Sequence, residues 1–125
     1  MKRAVLIFTA FFLLCPQLDA RPYKERVFQE AWCRRAGGVM EYALPDRTRV
    51  DCLTGDFAVE VDFAHKWAEA VGQALYYSFM TKRKPGILLI MEEEGDRRFL
   101  ERAQVISKRL GITVWTVEAQ EMEGR

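Results

Sequence analysis

Between residues 49 and 67 the chain reads RVDCLTGDFAVEVDFAHKW, which sets Asp51, Glu60, Asp62, His65 and Lys66 among valines, phenylalanines and a tryptophan. Carboxylates, an imidazole and an ammonium are the groups that do general acid–base work and hold hard metal ions. If Phe57–Phe63 is a strand, alternation puts Ala58, Glu60 and Asp62 on one face and Phe57, Val59, Val61 and Phe63 on the other. Asp51, near the end of the preceding strand of a hairpin, then comes close to Glu60. Carboxylates gathered in this way repel one another unless a cation stands between them. A hard divalent ion bound through oxygen resolves the conflict. For any one of these acids a solvent-facing strand end is the simpler account. For the set, convergence is favoured.

The segment that follows supplies more polar groups in register with the acids. Lys66, Ala70, Gln73 and Tyr77 recur at helical spacing, and Glu69 stands three residues from Lys66 and four from Gln73. Trp67, Val71, Leu75 and Phe79 form a neighbouring apolar stripe, expected to face the core. Val50, Val59, Val61, Phe63 and Trp67 are the core residues expected around the acids. His65 has the chemistry of a base, although a histidine at a helix start more often caps or faces solvent.

Positioning these residues requires an ordered set of elements. Tyr23–Arg35 carries Val27, Phe28, Ala31 and Trp32 at helical spacing, and Gly37-Gly38 ends that helix. Val39–Leu44 and Thr48–Leu53 read as strands around a Pro45-Asp46-Arg47 turn, and Thr54-Gly55-Asp56 leads into Phe57–Phe63. Ala64–Thr81 is the longest helix. Pro85-Gly86 restarts the chain as Ile87–Met91, a continuous apolar run suited to a strand covered on both faces. Asp96–Leu110 is an amphipathic helix stopped by Gly111, and Ile112–Val117 is a last strand. The order α-β-β-β-α-β-α-β predicts an α/β fold with one mixed sheet flanked by helices.

Composition narrows the setting. The chain has 125 residues, half of them hydrophobic, enough for one small domain with a core. Residues 1–20 combine Lys2 and Arg3, an uncharged run over Ala4–Cys15 and a small residue, Ala20, before Arg21, the layout of a secretory signal peptide. A membrane-tethering helix is the alternative for so short a run. Leu13-Leu14 before Cys15 argues against a lipoprotein. Cleavage near Ala20 would leave a single domain over 21–125, exported to a periplasmic or extracellular space. Of 19 basic and 18 acidic residues, Lys2, Arg3 and Asp19 fall in the leader, leaving 17 of each. A balanced charge gives no general attraction to nucleic acid, so polyanion contact would need a local patch. Arg34-Arg35, Arg47, Arg49 and Lys82-Arg83-Lys84 are the candidates, and an ordinary solvated surface is the favoured reading of them.

After the leader two cysteines remain, Cys33 and Cys52, which an oxidising compartment would pair if they meet. Spacing alone does not show that they do. With one histidine in the chain, a zinc site of the usual ligands is disfavoured. A Cys33 nucleophile with His65 as base has little behind it.

Asp51, then Glu60-Val61-Asp62, then Gln73-Ala74-Leu75-Tyr76-Tyr77, on elements in the order α-β-β-β-α-β, resemble the PD-(D/E)xK nuclease superfamily and its RecB-type Gln-x-x-x-Tyr branch. The resemblance implies a restriction-endonuclease-like fold with an added C-terminal helix and strand. It implies metal-dependent hydrolysis of nucleic acid, DNA or RNA, with Mg²⁺ or Mn²⁺ as cofactor. Asp51 and Glu60 would be metal ligands, joined by Asp62, while Gln73 and Tyr77 would match the Gln-x-x-x-Tyr pair. Glu41, or Glu30 in the first helix, could supply the further acid many members hold near the metal; Glu69 and His65 are accessory candidates. The family's strand lysine is Asp62 here. Lys66, one helical turn onward, is the candidate replacement. The alternative is a nuclease-like fold without activity, serving as a binding or structural module in the cell envelope.

Overall fold

The computed structural model describes residues 23–122; the expected leader, residues 1–20, lies outside them. The elements are α1 (Glu25–Arg35), β1 (Val39–Ala43), β2 (Arg49–Leu53), β3 (Phe57–Phe63), α2 (Trp67–Thr81), β4 (Lys84–Met91), α3 (Arg97–Leu110) and β5 (Thr113–Glu118). One-turn 3-10 segments at Ala64–Lys66 and Glu94–Asp96 lead into α2 and α3, and a third, Ala119–Met122, follows β5. The strands form one open mixed sheet in the order β1-β2-β3-β4-β5. β1, β2 and β3 are antiparallel neighbours, while β3, β4 and β5 run parallel. Parallel neighbours need a crossover, and α2 and α3 supply the two crossovers.

The parallel part is buried on both faces. Ile87, Leu88, Leu89 and Ile90 of β4 have no exposed surface. Ile87 and Leu89 pack on Ala70, Val71 and Ala74 of α2 and Ala103 of α3. Leu88 and Ile90 pack with Val59, Val61 and Phe63 on the opposite face, where Phe28 and Cys33 of α1 cover them. A third cluster joins Leu44, Val50, Ala58 and Tyr77 near the hairpin end.

The strand β4 begins three residues earlier than its apolar run suggests. Lys84 and Pro85 already pair with Phe57 and Ala58, whereas β5 joins only from Gly86 onward. Pro85 therefore lies where one side of the strand has no partner, which a residue without an N–H tolerates. Gly86 makes room for an aromatic: a Cβ there would stand 2.7 Å from Trp115. The Trp115 ring packs against Phe57 and Trp32, with centroids 5.1 and 5.2 Å apart.

The apolar faces that periodicity suggests largely meet the core, through Phe28 and Trp32 of α1 and Trp67, Val71 and Leu75 of α2, but Val27 and Phe79 do not. In α1 the buried residues are Phe28, Gln29 and Cys33, while Val27 is exposed. In α2 they are Ala70, Val71, Ala74 and Tyr77, and Phe79 is 81% exposed. Small alanines let α2 approach the sheet closely, and the larger Tyr77 fills the space beside Val50 and Ala58. The Tyr76 hydroxyl bonds Asp46, whose carboxylate also accepts the Thr48 N–H at 3.0 Å, so α2 is tied to the β1–β2 turn.

Candidate functional site

The acids meet where the sheet comes apart. β2 pairs with β3 through Cys52↔Val59 and Leu53↔Ala58, and the ladder stops there. Continuing it would set Asp51 directly opposite Glu60. Val50 and Cys52 should share a face, yet Val50 packs with Tyr77 and Cys52 packs with Phe28. Alternation thus reverses at Asp51, the signature of a local bulge. The Val61 N–H, left without a strand carbonyl on that side, donates to Asp51 Oδ2 at 2.8 Å. The disturbance continues into β1. Met40↔Cys52 and Tyr42↔Val50 are paired, but Glu41 between them has φ 53°, in the left-handed region.

Five carboxylates border this gap: Glu25, Glu41, Asp51, Glu60 and Asp62. Glu60 is 5% exposed, and its Oε2 is buried without a hydrogen-bond partner. The Asp51 carboxyl faces Glu60 with a side-chain hydrogen bond between them, which requires a proton on one of the two. Burial first, then the charges of Asp51 and Asp62, push the Glu60 carboxyl up to about 10. Burial also raises Asp51 to about 6, against the opposing hydrogen bond from Val61. Glu25 rises to about 7, through burial and then the adjacent charge of Asp62, to which it is hydrogen-bonded. Asp62 is raised by burial, opposed chiefly by Lys66, whose Nζ is 3.6 Å from Asp62 Oδ1. Such a cluster must keep protons or acquire a cation, because the charged forms repel in a poorly hydrated space.

The polar frame around the acids comes from both helices. Gln29, 3% exposed, donates from Nε2 to Glu41 Oε1 at 2.8 Å and to the Asp51 carbonyl at 2.9 Å. Tyr77 is buried with its hydroxyl hydrogen-bonded to the Gln73 side chain; burial and then the charge of Glu60 raise its ionisation. Glu69 is exposed, near enough to Asp62 for its charge to be felt there. His65 is exposed and stacks on Phe63, with ring centroids 6.2 Å apart. Behind the site, Cys33 and Cys52 are joined by a disulfide that fixes α1 to β2 beside Asp51.

Asp51, Glu60, Asp62, Lys66 and Glu41 are therefore brought together, with Gln73 and Tyr77 at their edge. Glu30 is not: it is exposed and paired with Arg34 at 2.8 Å, about 100° around α1 from the site-facing Gln29. Its place is taken by Glu25, one turn before Gln29. Glu25, Gln29 and Cys33 recur every four residues, a polar stripe that could have been read from the sequence beside the apolar one. Among the described residues no group of three or more His, Cys, Asp or Glu side chains is drawn closely enough around one point to hold a metal ion. The donor chemistry nevertheless fits a hard cation: all carboxylate, with one buried oxygen unpartnered and a proton held between Asp51 and Glu60.

A cleft of 540 Å³ runs between β1 and the C-terminal end of α2, lined by Tyr42, Leu44, Pro45, Leu53, Met80 and Arg83, and none of the acids lines it. Among the described residues no helix is long and apolar enough to cross a membrane.

The fold and the site define an α/β protein with an open five-stranded mixed sheet and a buried carboxylate cluster at a break between two antiparallel strands. Comparison with protein-family models, with curated proteins and with solved structures gives no match for this chain.

Proposed function

We propose that this protein is an exported, metal-dependent phosphodiesterase of nucleic acid, built as a PD-(D/E)xK-like domain. The observation that supports it is the shared site of Asp51 and Glu60 at the β2–β3 break, with Glu60 Oε2 buried and unpartnered. A fold gains nothing from a buried carboxyl oxygen without a partner, and this one supports a bound cation or chemistry at the break. In this reading Asp51, Glu60 and Asp62 hold Mg²⁺ or Mn²⁺. Bound there, the ion supplies a water of lowered pKa and screens the charge of the scissile phosphate.

The chain's own residues do the rest. Lys66 leaves Asp62 once that carboxylate has another cation, and its flexible stem lets the ammonium orient the attacking water or offset phosphate charge. Gln73 and Tyr77 position the sugar–phosphate backbone at the edge of the acids. Glu41 and Glu25 border the site, and the protons that binding displaces pass to solvent.

A second reading has one observation behind it. Asp62 stands where the superfamily's lysine would be, and Lys66 is spent on an ion pair with it. That arrangement suits a domain retained for binding or structure. Calorimetric titration with Mg²⁺ and Mn²⁺, followed by incubation with labelled single- and double-stranded DNA and RNA, separates the two. Uptake of the ion and cleavage abolished by Asp51→Ala or Glu60→Ala supports the nuclease. Absence of uptake, or cleavage that survives both substitutions, refutes it.

A further inference from the structure

Glu41 is a glutamate in a conformation that suits glycine. Its φ of 53° lies in the left-handed region, inside a strand whose neighbours Met40 and Tyr42 pair regularly with β2. A non-glycine residue held there costs free energy and persists only when its surroundings over-determine it. Two side chains reach it: Arg49 Nη1 donates to the Glu41 carbonyl at 3.3 Å, and Gln29 holds the carboxylate. Gln29 is almost wholly buried, and both protons of its amide nitrogen are used, one on Glu41 Oε1 and one on the Asp51 carbonyl. Those bonds join α1 to β1 and β2 at the two positions where the β1–β2 ladder is interrupted.

We infer that Gln29 is a positioning residue: its amide holds Glu41 in the left-handed conformation and directs the Glu41 carboxylate to Asp51, making Glu41 a member of the acid site. A glutamate on an edge strand would otherwise turn to water, where its charge is better solvated. Burying a glutamine has its own penalty unless its donors are satisfied, and here both acceptors belong to the site. A cation's relation to Glu41 rests on the reading proposed above; the hold of Gln29 on Glu41 does not.

The test uses the folded protein and three variants. Gln29→Met keeps length and shape but removes the donors, and Glu41→Gln removes the charge. Urea unfolding of wild type, both single variants and the double variant measures their coupling. The expected result is a departure from additivity of about threefold or more in the folding equilibrium constant; additive effects overturn the inference. If Gln29→Met does not fold, Glu41→Gly and Glu41→Ala decide it. Both lack the carboxylate that Gln29 holds, so alanine should relax out of the left-handed region and melt at least as high as glycine. Glycine melting about 5 °C above alanine would mean that the fold imposes the conformation without the Gln29 bond, and would overturn the inference.

Mn²⁺ affinity provides a readout that a merely structural role would not move. Gln29→Met and Glu41→Gln should each weaken it about tenfold, and the double variant no further. Full wild-type affinity in Gln29→Met overturns the inference. A wild type that takes up no Mn²⁺ overturns the proposed metal site instead, and the unfolding cycle still decides on Gln29.

Discussion

The Asp51 carboxylate occupies the place of a backbone carbonyl, accepting the Val61 N–H at 2.8 Å where the β2–β3 ladder has ended. This bond lets two antiparallel strands separate without leaving a buried donor unpaired. The gap so opened is the site.

Glu60 should make stability fall as pH rises. Its carboxyl is pushed up to about 10 from an ordinary 4.5, chiefly by burial. Between those values the native chain keeps a proton that the unfolded chain has lost, so raising the pH favours unfolding. In chelator, wild type should lose up to about 1.4 kcal/mol per pH unit from pH 7 to 9, with Glu60→Gln flattening the slope. Urea titrations across that range check it, and parallel slopes in both proteins would refute a buried, proton-bearing Glu60.

Lys66 is expected to separate binding from chemistry. Lys66→Met should lower cleavage by about 100-fold or more. Its Mn²⁺ affinity should hold or rise, since the variant frees Asp62 from a competing cation 3.6 Å away. Single-turnover cleavage beside calorimetry reads both quantities. Unchanged cleavage assigns Lys66 to the ion pair alone.

The disulfide should matter to the whole fold. Cys33 and Cys52 are 19 residues apart in sequence and both fully buried, so Cys33→Ala with Cys52→Ala should lose about 3 kcal/mol. Gly38 is tied to the same feature, because a Cβ there would collide with Cys52 Sγ and stand 2.9 Å from Cys33 Sγ. Gly38→Ala should therefore slow oxidative closure, scored by thiol titration during refolding. Closure at the wild-type rate would count against so tight a fit.

The exposure of Phe79 beside the buried Ala74 gives a contrast on one helix. Phe79→Lys should change stability by less than about 0.5 kcal/mol, while Ala74→Leu should cost about 1–3 kcal/mol by overpacking. Thermal melts decide. A large loss on changing Phe79 would place it in the core with Trp67, Val71 and Leu75.

Much of the arrangement is legible in the sequence because it follows from period and punctuation. The strand Phe57–Phe63 and its two faces follow from alternation, and the glycines and prolines mark most element ends. The stripe of Trp67, Val71 and Leu75 on α2 is legible in the same way, but its end is not: Phe79 looks like core by hydrophobicity, yet the sheet takes alanines and Tyr77 at close range there. Asp51, Glu60, Asp62 and Lys66 could be grouped from spacing along one strand and its neighbours. Gln29 and Glu25 could not be grouped with them in that way, since their place depends on how α1 lies across the sheet. Nor does spacing disclose the left-handed Glu41, which is set by contacts from a distant segment.

The bond from Val61 to Asp51 also separates the two acids as historical records. Asp51 helps the chain fold, so selection for folding alone would keep it after any activity had lapsed. Glu60 is buried, unpartnered at one oxygen and destabilising once ionised, so folding gives selection no reason to keep it. Of the two, Glu60 is the witness to function, and a lineage that had stopped using the site would be expected to lose it first.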